Sequence, residues 1–161
     1  MQEITLSFNY QLLNNSELDP SSLELLNAAA LACNNAYAPY SQFSVGAALI
    51  CEDGTIITAA NSENASYPLS ICAEAALISR YRNSGSISAV KVIAIRVKNA
   101  KTIVNYPVMP CGGCRQILFE LENEQSPITI LLQGESGDIM QISAIKNLIP
   151  LAFSAKDLSE N

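Results

Sequence analysis

The sequence predicts an α/β layered domain built on a mixed sheet. Strand candidates arrive first as pairs around tight turns and then alternate with helical stretches, the order expected of strands covered by helices. Almost half of the residues, 49%, are apolar and only 15% are charged. The chain of 161 residues is expected to form one domain over residues 1–161, large enough to bury roughly 70% of its unfolded surface.

Ile4, Leu6, Phe8, Tyr10 and Leu12 alternate with mostly polar residues, so residues 1–15 are expected to hold a half-buried strand. Asp19 and Pro20 have the chemistry of an N-cap and a first helical residue, opening a helix to about residue 35. Pro39 forces its predecessor out of the helical region, which makes residues 36–43 irregular. Strands over 45–50 and 56–60 flank Glu52-Asp53-Gly54-Thr55, a hairpin signal. A polar loop over 61–70 leads into a helix over about 71–83, and residues 90–97 form an apolar strand interrupted by Arg96. Residues 98–109 give no readable path. A helix over about 111–123 follows, then strands over 128–132 and 138–142 around a turn at Glu135-Ser136-Gly137. Ser143 is expected to cap a short helix that stops before Pro150.

Charge and composition exclude several function classes. Net charge is −6 with no run of about five or six like charges, which disfavours nucleic-acid binding because phosphate contact needs clustered Lys and Arg. No apolar stretch approaches the roughly 18 residues of a membrane span. The N-terminus lacks the basic start and apolar core of a secretory signal. The five cysteines are therefore read as reduced thiols or metal ligands in a cytoplasmic protein, not as a disulfide frame.

The chemistry concentrates in Cys72-Ala73-Glu74 and Pro110-Cys111-Gly112-Gly113-Cys114. Three thiols are one ligand short of a closed structural zinc site, so a metal held by Cys72, Cys111 and Cys114 keeps a fourth position for water. Helix starts favour thiolate, and Glu74 stands close enough in sequence to handle that water's protons. Other readings stay open on the residues alone. Cys111 and Cys114 also describe a redox dithiol, and Cys33 or Cys51 would complete a structural site in a non-catalytic, zinc-stabilised interaction protein. Those two cysteines are more simply buried apolar residues, and Glu74 taken singly is an ordinary acid of a first helical turn.

The split motif resembles the zinc-dependent nucleoside deaminases, whose signature usually begins with His. With Cys in that place and no histidine in the chain, it is similar to the small, homotetrameric-type cytidine deaminases that act on free nucleosides. The likeness extends to Ala38-Pro39-Tyr40-Ser41-Gln42-Phe43-Ser44-Val45-Gly46-Ala47-Ala48 and to Asn61-Ser62-Glu63-Asn64-Ala65-Ser66-Tyr67-Pro68. It includes residues 110–116 and Leu148-Ile149-Pro150-Leu151-Ala152-Phe153, and covers about residues 22–158. The segment 1–15 has no clear family counterpart and is expected as an extra strand.

The resemblance implies a three-layer α/β/α domain with a mixed, about five-stranded sheet and one Zn²⁺ per subunit on Cys72, Cys111 and Cys114. It implies hydrolysis of cytidine and 2′-deoxycytidine to uridine and 2′-deoxyuridine plus ammonia, in pyrimidine salvage. Glu74 then takes a water proton, passes it to N3 and helps protonate the leaving ammonia. By the same likeness Asn61 and Glu63 bind the ribose 3′-hydroxyl, Phe43 packs on the pyrimidine, and Ala73 belongs to the substrate contacts. Phe153 reaches a neighbouring subunit's site and Tyr67 takes an intersubunit position, which implies a homotetramer with shared sites. Without the family, Asn61 and Glu63 read as a hydrated loop and Phe43 as a core aromatic.

One position departs from the pattern. These enzymes usually carry Arg directly after the glutamate, offsetting the negative charge of three thiolates, and here that residue is Ala75. Arg115 and the helix N-termini are the expected compensators. Relatives that deaminate antibiotic nucleosides such as blasticidin S also carry a small residue there, so a modified nucleoside is the alternative substrate.

Overall fold

The computed structural model describes residues 1–158. A six-stranded sheet runs in the order β1-β6-β5-β4-β2-β3, where β1 is Gln11–Leu13, β2 Phe43–Cys51, β3 Ile56–Ala60, β4 Val90–Asn99, β5 Thr129–Gln133 and β6 Ile139–Ile142. The α-helices are α1 (Pro20–Ala32), α2 (Ala73–Asn83) and α3 (Gly112–Asn123). β4 and β5 pair in parallel with α3 as their crossover, and the other pairings are antiparallel.

Strand alternation assigns the two faces. Ala47, Leu49, Ile93, Ile95, Ile130 and Leu132 point to one side and bury Leu77, Ile78 and Tyr81 of α2 with Leu118 and Leu121 of α3. Ala48, Ala94 and Leu131 point to the other and bury Leu25, Leu26 and Ala29 of α1. Small residues let α1 lie close: a Cβ on Gly46 would stand 2.0 Å from the Ala29 carbonyl oxygen. The expected three-layer α/β/α class is what forms, with six strands instead of about five because β1 joins the edge at β6. Among the described residues no helix is long and apolar enough to cross a membrane.

Three local expectations need correction. The N-terminal strand is confined to Gln11–Leu13; Ile4 and Leu6 remain 74% and 60% exposed, so their alternation lacks a covering layer. Helix α1 ends at Ala32 and continues to Asn35 as a 3₁₀ turn. Ser143 does not cap the following short helix, a 3₁₀ turn over Ile145–Leu148 that Ala144 precedes with no side-chain cap. The buried Glu122 does that work from α3: its carboxylate accepts from the N–H groups of Ile145 at 2.6 Å, Lys146 at 2.8 Å and Ile128 at 2.9 Å.

Residues 98–109, whose path the sequence left open, lie against the β5–β6 turn. The Glu135 carboxylate accepts from the N–H groups of Asn99 and Val104, while Val104 accepts from the Glu135 N–H. Gly134 and Gly137 permit the approach, since a Cβ on either would meet the connection's carbonyls at 2.3 and 2.1 Å. This delivers Val108 and Met109 to the site described below.

Asp19 caps α1 as expected, accepting from the N–H and hydroxyl groups of Ser21 and Ser22 at 2.6 to 3.0 Å. The Ser21 and Ser22 hydroxyls, followed by the main-chain N–H groups, hold its carboxyl far below the usual carboxylate range. A depressed folded pKa gives stability that is present above the unfolded value and lost as pH falls through the folded one. Asp19→Ala is expected to cost about 1 kcal/mol at neutral pH. In urea titrations the difference between wild type and variant should shrink once pH drops below about 4.

Candidate active site

Two helix starts build the site. Cys72 is the N-cap of α2 and Cys111 the N-cap of α3, with Cys114 one turn further in. The three sulfurs all lie within 4.8 Å of one another. Cys111 Sγ accepts from the Cys114 N–H at 3.5 Å, a thiol taking the part of a helix cap. Glu74, in the first turn of α2, is buried beside them.

The electrostatics of this cluster are unfavourable without a cation. Burial, with the Glu74 charge adding to it, pushes the Cys72 and Cys114 thiols up. The Cys114 N–H pulls the Cys111 thiol down. Burial also raises the Glu74 carboxyl. A divalent ion inverts this logic by favouring thiolate.

The cluster borders a cavity of about 600 Å³, which Cys72, Cys111 and Glu74 line together with Phe43, Asn61 and Glu63. Each polar wall residue also holds the loops. The Asn61 side chain accepts from the Val45 N–H at 2.7 Å and donates to the Phe43 carbonyl at 3.0 Å. Glu63 Oε2 accepts from the N–H groups of Tyr40 at 2.9 Å and Ser41 at 3.3 Å. The Ser41 hydroxyl, then these N–H groups, lower its pKa and keep it ionised. Ser62 exchanges two main-chain hydrogen bonds with Ile71, and Tyr37 bonds to Asn61 and Glu63, so this wall is stitched to the residue before Cys72. Tyr40 and Tyr67 meet edge to face at the cavity wall with centroids 6.2 Å apart.

Other residues singled out in the sequence lie elsewhere. Ala73 starts α2, is fully buried in the core and is not among the cavity's lining residues. Phe153 is 57% exposed, its carbonyl accepting from Gln116 at 2.8 Å, and it is not among the cavity's lining residues. Ala75 faces a groove between α2 and α3, beside Ile78 and Gln116. The Arg115 guanidinium donates to the carbonyls of Pro110 at 2.9 Å and Leu148 at 3.0 Å. Val108 and Met109 line the cavity and were missed, because their placement depends on the remote Glu135 contacts. Ile71 and Ser70 also line it, and only their nearness to Cys72 hinted at that.

Comparison with known proteins places this arrangement. The family model for the cytidine and deoxycytidylate deaminase zinc-binding region matches residues 20–129. The chain belongs to that family. It is 38% identical over 138 residues to a cytidine deaminase of Halalkalibacterium halodurans, covering 84% of this chain and 96% of the relative. To a cytidine deaminase of Sporosarcina psychrophila it is 38% identical over 136 residues, covering 84% and 93%. The fold is similar to crystal structures of cytidine deaminases from Burkholderia pseudomallei (TM-score 0.71, 36% identity, 81% of this chain and 97% of that one) and Mycobacterium leprae (TM-score 0.62, 34% identity, 82% and 99%).

The zinc of this family fits the residues present. Three soft sulfur donors suit zinc, and tetrahedral Zn–S bonds of about 2.3 Å place sulfurs roughly 3.8 Å apart, within the spread observed. Cys33 and Cys51 are not part of the cluster. Cys33 Sγ is instead directed at the carbonyls of Ala29 and Arg96. Among the described residues the cluster holds no fourth thiol, which suits a metal keeping one open position. Cys72→Ser and Cys111→Ser should each weaken zinc affinity by more than about 100-fold, beyond what loss of a supporting contact does. Competition with a chromogenic chelator measures this, and metal removal should lower the melting temperature of wild type but hardly that of the variants.

Proposed function

We propose that the protein is a zinc-dependent deaminase of free cytosine nucleosides, converting cytidine and 2′-deoxycytidine to uridine and 2′-deoxyuridine with release of ammonia. The observation that carries this reading is the buried Glu74 standing beside a cluster of three thiols, two of which line the cavity with it. When bound, zinc supplies Lewis acidity that makes water a nucleophile near neutral pH. Cys72, Cys111 and Cys114 hold the ion, and Glu74 remains free to move protons. Its carboxylate takes a proton as the water oxygen adds to C4, gives it to ring N3, and then carries the hydroxyl proton to the departing amine. Burial favours the neutral carboxyl, which helps the donating half of that cycle.

The other walls orient the nucleoside. Phe43 stacks on or against the pyrimidine. Glu63 keeps Oε1 for the ribose 3′-hydroxyl while Oε2 holds the loop, and the Asn61 amide retains one lone pair and one N–H beyond its two strand contacts. Arg115, tied to the carbonyl preceding Cys111, adds positive charge in sequence next to Cys114. The whole chain acts as one domain, and its exposed Phe153 and Tyr67 meet neighbouring subunits in a cytoplasmic homotetramer of pyrimidine salvage.

Zinc-loaded protein should deaminate cytidine, followed by the fall in cytosine absorbance. Inactivity toward cytidine, deoxycytidine and modified cytosine nucleosides alike would defeat the reading. Faster turnover of a blasticidin-type nucleoside would transfer it to the alternative substrate that Ala75 raises. Glu74→Gln should lower kcat by at least about 100-fold, the low end for a general acid–base, and keep its zinc. Glu63→Gln should raise KM for cytidine more than it lowers kcat.

A further inference from the structure

Residues 1–19 lie outside the segment matched to the family, yet two of them line a cavity that shares a residue with the catalytic one. β1 sets Leu12 opposite Met140 and Leu13 opposite Ile139. Phe8 and Tyr10, just before this strand, line a cavity on the side of Met140. That is the side of the sheet on which Met140 packs against the core shared by α2 and α3. This second cavity, of about 350 Å³, they line with Met109, Arg115, Met140 and Ile142.

Met109 lines both cavities. The main chain beside it is fixed, because the Arg115 guanidinium holds the Pro110 carbonyl. Its side chain is not: methionine is unbranched, with three rotatable bonds, and adapts to whatever space adjoins it. On the catalytic side it lines the cavity that the proposed substrate enters. On the other side Phe8 and Tyr10 form part of the wall of the 350 Å³ cavity and so bound the space open to it there.

We propose that Phe8 and Tyr10 are specificity-determining residues that act through Met109, setting how much room the catalytic cavity gives a cytosine nucleoside. This inference rests on the deaminase reading above. The N-terminal segment thereby adds a layer behind the substrate wall that the family-matched region does not contain. Removing the two rings lets Met109 move back, loosening the fit to cytidine and admitting a larger base.

Steady-state kinetics of the zinc-loaded full-length chain test this with cytidine and ring-substituted cytidines, 5-methylcytidine among them. In the Phe8→Ala, Tyr10→Ala double variant, KM for cytidine should rise several-fold while kcat changes little. The kcat/KM for a substituted nucleoside relative to cytidine should rise about tenfold, the scale of one methyl group's discrimination in a pocket. Met109→Ala should reproduce the shift, and adding the N-terminal pair to it should change nothing further. The conservative pair Phe8→Leu, Tyr10→Phe should keep the wild-type ratio. Loss of folded protein lowers both substrates equally and leaves the ratio unmoved. An unchanged ratio for every substituted nucleoside in the double variant, or effects simply additive with Met109→Ala, overturns the proposal. Wild type that turns over no cytosine nucleoside fails before any variant is compared, defeating the deaminase reading and this inference with it.

Discussion

The site depends on two helix starts converging on one point against their own electrostatic preference. α2 and α3 share one apolar core on one sheet face, through Leu77, Ile78, Leu118 and Leu121. Packing them side by side brings Cys72, Cys111 and Cys114 together and buries Glu74 among them. Burial pushes two of the thiols and the carboxyl toward their neutral forms, and the Glu74 charge adds to this at the thiols. The hydrophobic core holds the groups in place, and a cation converts their crowding from a cost into binding energy.

The second constraint is that the polar groups facing the ligand are also the scaffold of the loops carrying them. Asn61 extends the β2–β3 ladder with its side chain, and Glu63 clasps the main chain at Tyr40 and Ser41. Ser62 and Ile71 pair directly before the first metal-binding cysteine. A displacement of the proposed sugar-binding wall is therefore felt at Cys72. Such pre-organisation spares the ligand the ordering of two loops, which raises affinity for a molecule of matching shape.

Local signals gave the sequence its legible parts. Asp19-Pro20 marked the start of α1, and Asp53-Gly54 marked the β2–β3 turn, where Gly54 does take positive φ. The metal motif was readable because Cys111 and Cys114 are three apart on one helix, with Cys72 and Glu74 likewise on one turn. Long-range partners decided the rest. Glu122 looks like any surface acid of α3, yet it caps a turn more than twenty residues later; Ser143 had the right chemistry for that cap in the wrong place. The alternation over residues 4–12 was real, but a strand needs a neighbour's N–H and C=O groups, and pairing with β6 is confined to Gln11–Leu13. The path of residues 98–109 hung on Glu135 and two glycines that no local pattern connects to it.

Ala75 finds its physical context in the same convergence of helices. Three thiolates on a divalent ion would leave a net charge of −1, which the resemblance leads one to expect an arginine at this position to offset. Here the residue faces the groove between α2 and α3, and the neighbouring Arg115 uses donors on the carbonyls of Pro110 and Leu148. Each helix N-terminus presents about half a positive charge. Cys72 and Cys111 stand as N-caps of two such helices, and the Cys114 N–H points at the Cys111 sulfur. Together the two helix ends supply about one positive charge where one is required. That positive charge comes from the backbone, and it follows from the same packing that gathers the thiols.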